Sequence, residues 1–212
     1  DEIGQLQNDF LIMIRKIDTL IKDNYIKQLA VKDAQLMSLQ AQINPHFLYN
    51  TLESINWMAK VNKQDNISKM VEALGFLMRS AISNKNKVIT LEEECKLLES
   101  YIVIQKIRYE DMLDFKIHLP DELKNLKIPK LTLQPIVENS INYGLENMLD
   151  TCKITVDFIP EHKYLDIVIK DNGPGIDPET LKKLNTGGIK PKGLGIGLKN
   201  INDRLKLIFS DE

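Results

Sequence analysis

Apolar residues recur along the first part of the chain at intervals of three, four and seven. Ile3, Leu6, Phe10, Met13, Ile17, Leu20 and Ile21 open the pattern, and Leu29, Leu36, Ile43 and Phe47 carry it on to Leu48, Leu52 and Ile55. That spacing predicts helix with one buried stripe, from Asp1 to about Leu29 and again from Gln28 to Lys60. Pro45 falls inside the second stretch. It removes one backbone N–H and crowds the carbonyl of Ala41, so a bend is expected just before His46. Asn62 to Asn66 is polar and reads as a turn. Ile67 to Ser83 resumes the stripe with Met70, Val71, Leu74, Leu77, Met78 and Ala81, weakened by Gly75 and ended by Asn84-Lys85-Asn86-Lys87. Thr90 with Glu93 three residues on forms a capping box for a third helix, whose stripe is Leu91, Leu98, Ile102, Gln105 and Tyr109. Three amphipathic helices with no strand between them must pack on each other or on a second copy. The length of the first favours a homodimeric four-helix core.

The period changes near Leu113. Phe115 to Leu119 alternates and reads as a strand, with His118 facing away from the apolar set. Lys130 to Leu145 reads as helix with Pro135 early in it. Ile154–Ile159 and Leu165–Lys170 read as strands joined by Glu161-His162-Lys163. Pro178–Leu184 reads as a short helix and Leu194–Phe209 as a longer one. The mixture predicts an α+β domain with helices on one face of a mostly antiparallel sheet.

Composition narrows the function. Of 212 residues, 43% are hydrophobic, which suits a globular chain. The 28 basic and 30 acidic residues leave a net charge of −2, so there is no basic footprint for direct nucleic-acid binding. Cys95 and Cys152 match no metal-ligand spacing and read as small buried apolar residues in a reducing compartment. No run of eighteen apolar residues predicts a membrane span, and no signal peptide is evident. The chain opens on Asp1 without a methionine and closes on the apolar run Leu205 to Phe209, and is read as a piece of a larger protein.

Four short stretches carry candidate chemistry. The first is Pro45-His46-Phe47-Leu48-Tyr49-Asn50, which places one of three histidines on a helix. A neutral imidazole with a free lone pair is a nucleophile suited to phosphorus. Glu138-Asn139, within Leu133-Gln134-Pro135-Ile136-Val137-Glu138-Asn139-Ser140, sets two oxygen donors side by side on a helix. Mg2+ prefers oxygen ligands and keeps its waters. Asp171-Asn172-Gly173-Pro174-Gly175 follows a strand. A carboxylate there can accept a hydrogen bond from an exocyclic amine, with glycines letting backbone approach a ring closely. Gly193-Leu194-Gly195-Ile196-Gly197 precedes a helix and would offer backbone N–H groups to a polyphosphate. It is neither a Walker A loop nor a Rossmann fingerprint.

In this order the four stretches resemble those of the sensor histidine kinases of two-component signalling, most closely the LytS/YesM-like group, whose phospho-acceptor box reads PHFLYN. The resemblance covers nearly the whole chain. It implies a multidomain protein: α-helical dimerisation and phosphotransfer helices, then an α+β Bergerat ATP-binding sandwich of the histidine kinase, gyrase and chaperone type, truncated at its C-terminus. Residues 1–28 would be a HAMP-like signalling helix, 29–112 the dimerisation and phosphotransfer region, and 113–212 the ATP-binding domain. The implied cofactors are ATP and Mg2+. His46 would be the phospho-acceptor, Asp171 the adenine reader beside Gly173 and Gly175, and Asn139 the Mg2+ ligand. Glu138 would order a metal-bound water or take the proton from His46. Gly193, Gly195 and Gly197 would form the second glycine box, and Ile176 to Lys192 a lid with Lys190 and Lys192 meeting phosphate. Two departures stand out. The family often has a basic residue three positions after the asparagine and His or an aromatic at four, where this chain has Asn142 and Tyr143. Many histidine kinases have an acid directly after the histidine, where this chain has Phe47. Asn50, one turn on, then becomes the candidate for orienting the imidazole, with Glu53 the weaker one; Asn44 and Asn50 read equally as helix-surface polar residues.

The resemblance further implies a homodimer, a response-regulator receiver domain as partner, no direct nucleic acid, and attachment to the bacterial cell membrane through N-terminal segments absent from this chain, which would form a cytoplasmic portion. The competing readings are a signalling scaffold with a degenerate ATP site and a Bergerat-type ATPase.

Overall fold

Local capping explains where the first well-placed helix begins. The computed structural model describes Lys16, Gln28, Val31 and residues 44–82, 87–147, 151–176 and 194–209. The chain divides into two units, Asp1–Tyr49 and Asn50–Glu212. In the first, Lys16, Gln28 and Val31 are helical, and most of the expected 1–28 signalling helix lies outside the described residues. Helix α1 (Pro45–Val61) does not bend at Pro45 but starts there. Asn44 sits just outside it and caps it. Its side-chain oxygen accepts from the Phe47 N–H at 3.2 Å, and its carbonyl accepts from Leu48 N–H. Proline at the first helical position loses nothing, because that N–H has no helical partner, so the expected kink is replaced by a helix start.

In the second unit, α1 turns into α2 (Asp65–Ile82) through Lys63. Gln64 N–H reaches the Ala59 carbonyl and Lys63 N–H the Lys60 carbonyl, with Lys63 in the left-handed region at φ 55°. This is a Schellman end in a place where glycine is usual. Polar side chains fasten the hairpin. Ser68 Oγ donates to Asn56 Oδ1 at 2.6 Å, Asn56 donates to Glu72, and Lys60 pairs with Glu72.

A short strand, β1 (Val88–Thr90), then separates α2 from α3 (Leu91–Tyr109), so the helices are not contiguous as expected. The capping box is present: Thr90 Oγ1 accepts from Glu93 N–H, and the Glu93 carboxylate accepts from Thr90 N–H. Next come β2 (Leu113–His118), β3 (Lys127–Pro129), α4 (Gln134–Asn147), β4 (Cys152–Pro160), β5 (Leu165–Asp171) and α5 (Leu194–Phe209). Strands β1 and β3 pair with each other, antiparallel. The second sheet has the order β2-β4-β5. It is mixed rather than mostly antiparallel. The hairpin β4–β5 is antiparallel, but β2 runs parallel to β4 with Leu113 opposite Cys152 and Phe115 opposite Ile154. The long connection that carries α4 between β2 and β4 permits the parallel pairing.

One core lies between this sheet and the helices. Leu91, Leu97, Leu98 and Ile102 of α3 and Val137 and Ile141 of α4 pack with Leu113 and Phe115 of β2 and Cys152, Ile154, Val156 and Phe158 of β4. The buried residues of β4 alternate, as a strand with one face on the core requires. The cluster runs continuously across position 113. Both cysteines are buried and unbonded to each other. Burial, with the carboxylates of Glu99 and Glu94, pushes the Cys95 thiol up to about 12. His118, exposed as expected, sits 2.6 Å from Asp157 on the neighbouring strand.

Candidate nucleotide site and phospho-acceptor helix

Strand β5 ends on Asp171, and the neighbours of that carboxylate fix its direction. Its Oδ2 accepts from Ser140 Oγ at 2.9 Å, and its Oδ1 from Gly173 N–H at 2.9 Å. An ionised carboxylate has about four lone-pair sites, so each oxygen retains capacity for an outside donor. The next residue anchors the strand end. Asn172 Oδ1 accepts from Lys153 N–H at 2.7 Å, and Nδ2 donates to the Thr151 carbonyl at 3.1 Å. Asn172 N–H also donates to the Lys153 carbonyl. Asp171 is therefore held between α4, through Ser140, and its own turn.

Two glycines here have different reasons. A Cβ at Gly173 would fall 2.9 Å from Asp171 Oδ1 and 3.9 Å from the Gly144 Cα on α4. Gly175 has φ +76°, in the left-handed region that favours glycine.

On α4, Glu138 is exposed and Asn139 half-buried, one residue before Ser140. The same helix thus presents two oxygen donors and the residue that grips Asp171. Among the described residues no group of three or more His, Cys, Asp or Glu side chains converges to hold a metal. A site that uses one or two protein oxygens beside substrate phosphates needs no such cage, and the Asn139 amide oxygen fits that role. Tyr101 of α3 lies near Glu138. Burial first, and that carboxylate second, push its hydroxyl up to about 12, so it stays a donor. Asn142 and Tyr143 are both exposed on α4.

The second glycine stretch is placed in part. Gly193, Lys190, Lys192 and the rest of the expected lid, with its short helix, lie outside the described residues. Gly195 and Gly197 belong to α5 itself rather than to a loop before it. Gly195 therefore stands in the first turn, where backbone N–H groups have no helical acceptor. His46 is the second residue of α1 and is exposed, as are Phe47 and Asn50.

Two family models match the chain. One described as "Histidine kinase" matches residues 34–113, and one described as "Histidine kinase-, DNA gyrase B-, and HSP90-like ATPase" matches residues 127–208. The chain belongs to the histidine kinase family. Both parts of such a kinase are present, a helical region followed by an ATPase domain. The chain is 47% identical over its whole length to the sensor histidine kinase YesM of Bacillus subtilis (strain 168). It is 34% identical over 86% of its length to the sensor protein LytS of Oceanobacillus iheyensis. The sensor histidine kinase/phosphatase LytS of Staphylococcus aureus (strain MRSA252) is 30% identical over 84%. The chain spans 35%, 32% and 31% of those three proteins, about a third of each. A solved histidine kinase domain from Erythrobacter litoralis EL346 shares 16% identity at a TM-score of 0.44, covering 76% of this chain and 85% of that one, too loose a likeness to argue from.

As a histidine kinase the chain shows two features that its sequence did not single out. Ser140 was visible beside Asn139, but its bond to a carboxylate 31 positions away has no local signal. Asn172 looked like turn composition and is in fact a three-bond anchor.

Proposed function

We propose that this chain is the kinase core of a sensor histidine kinase. It binds Mg·ATP beside Asp171, phosphorylates His46, and passes the phosphoryl group to an aspartate of a response-regulator receiver domain. The observation that supports this most is the Asp171 carboxylate, fixed by Ser140 and Gly173 with lone pairs to spare, in a chain that also exposes His46 at a helix start.

In this reading Asp171 accepts a hydrogen bond from the exocyclic amine of adenine. Asn139 would hold the metal, and Glu138 would order a water beside it or take the His46 proton. Mg2+, when bound, neutralises phosphate charge. The N–H groups of the first turn of α5 would bind the phosphates, and Lys190 and Lys192, outside the described residues, would add positive charge there. A ring nitrogen of His46 attacks the γ-phosphorus. The N–P bond forms, the bond to the β-phosphate bridging oxygen breaks, and ADP leaves. Asn50, one helical turn on, orients the imidazole in place of the acid that Phe47 replaces. Trp57, Met58 and Val61 are exposed apolar residues on α1, Trp57 at 67%. This surface suits a homodimer contact and the docking of the receiver domain. The relatives are named as sensors, and we read the chain as a cytoplasmic portion of a bacterial membrane sensor, with HAMP-like residues 1–28 bringing in the signal. No helix among the described residues is long and apolar enough to cross a membrane.

Asp171→Asn tests the nucleotide reading. The parent chain is expected to bind ATP and reject GTP, which carries a carbonyl where adenine has its amine. The variant should bind ATP roughly tenfold to a hundredfold more weakly, the range for a hydrogen bond to a charged group. Equal binding of ATP and GTP by the parent would contradict the role of Asp171. Steady ATP hydrolysis with no modified histidine would favour an ATPase instead.

A further inference from the structure

The turn between β3 and α4 shares only Leu133 with the motifs above, yet side chains from two helices hold its backbone. Leu131 is in the left-handed region at φ +58°, a strained conformation for a branched side chain. Its N–H donates to Glu94 Oε2 at 2.8 Å, and its carbonyl accepts from Arg204 Nη2 at 2.8 Å. Two residues on, Leu133 N–H donates to Glu94 Oε1 at 2.8 Å. One residue back, the Lys130 carbonyl accepts from Arg204 Nη1 at 2.9 Å. A carboxylate from α3 and a guanidinium from α5 therefore grip the donors and the acceptors of one four-residue turn.

Glu94 is 1% exposed. A carboxylate is costly to bury, and burial raises its proton affinity against the opposing pull of the backbone N–H groups of Leu133, Leu131 and Thr132 and of the Arg204 charge. A glycine at 131 would hold the same turn without the strain or the buried charge. The arrangement does something glycine would not, which is to tie three helices to one point. The turn runs directly into α4, which carries Glu138, Asn139 and Ser140. Arg204 lies ten residues beyond the start of α5, roughly 15 Å along that helix. Glu94 also accepts from the N–H of Leu133, the residue directly before α4.

We propose that Glu94 and Arg204 are positioning residues of the nucleotide site. Through the turn at Leu131 they fix the spacing of α4 and α5, so that the α4 residues beside Asp171 and the first turn of α5 meet the same nucleotide. The proposal rests on the nucleotide reading given above and adds to it the device that holds its two helices together.

The full chain in Mg2+ is titrated with a fluorescent ATP analogue, at a temperature where circular dichroism shows each variant fully folded. Glu94→Gln and Arg204→Lys are the test variants; the lysine keeps the charge but loses the paired donors. Both should bind the analogue roughly tenfold more weakly, since small misplacement of binding groups has effects of that order or larger. Ile154→Val weakens the same core away from the turn and should bind as the parent does. Parent-like affinity in both test variants would overturn the inference and leave the nucleotide site standing. An equal loss in Ile154→Val would reduce Glu94 and Arg204 to general stability and also overturn it. No binding by the parent would overturn both readings.

Discussion

At the scale of single residues, close approach decides more than propensity. Gly144 of α4 faces Cys152 at the start of β4, and a Cβ there would fall 2.6 Å from the Cys152 Sγ. A side chain at 144 would have to displace the buried Cys152 sulfur or move the helix away from the strand. Gly144→Ala should therefore cost about 1–3 kcal/mol by overpacking, measured by urea unfolding. Adding Cys152→Ala should restore part of the loss, and no restoration would show that the strain lies elsewhere. Gly75, in α2, is the contrast. A Cβ there would meet Leu52 and Arg79 at an ordinary 3.9 Å, so no close approach explains that glycine. The sequence alone did not separate these two cases. It marked Gly75 as a weak point of a helix and gave no role to Gly144, because the neighbour that matters is the sulfur of a residue on another element. Pro45 shows the same limit in another form. Its missing donor was legible, but whether it kinks a helix or opens one depends on the cap, and Asn44 supplies the cap.

At the scale of elements, structure set by neighbouring residues is legible in the sequence and structure set by remote ones is not. The capping box at Thr90 and Glu93 needs only residues three apart, and it is formed. The Thr90 backbone N–H holds the Glu93 carboxyl below the ordinary glutamate value against the opposing effect of burial, with the Thr90 hydroxyl, Lys127 and Lys96 helping. A lowered folded value means the box contributes stability above the ordinary glutamate value, and this is lost as pH falls through the lower folded value. Glu93→Gln should thus be less stable than the parent at neutral pH, with the gap in unfolding midpoint closing as pH falls below the ordinary glutamate value. A gap that persists undiminished in acid would contradict the charge-based account. Helix α4 is the opposite case. Its observed start at Gln134 is four residues later than the expected Lys130, because the turn before it is held by Glu94, from a different helix 39 positions before Leu133. Strands β1 and β3 escaped notice because three residues are too few to show alternation and each is completed only by the other. The parallel β2–β4 pairing likewise depends on a connection rather than on the strands' own residues.

At the scale of the whole molecule, the order of the motifs carried the family, and two family models covering separate parts of the chain agree with it. What the order could not convey is how the parts are tied. The joint grip of Glu94 and Arg204 on the backbone of one turn, and the Ser140–Asp171 bond, are links between segments far apart in sequence. The core that continues across position 113 is another, joining α3 to the sheet that follows it. The account as a whole stands on His46 as the acceptor of a phosphoryl group. The most direct measurement incubates the chain with Mg·ATP labelled at the γ-phosphate, beside a His46→Gln twin, and follows the label on the protein through acid and base. The account predicts a label that is lost in acid, survives base, and is absent from the twin. A label of equal strength on the twin, or ATP bound with no label on either chain, would contradict it.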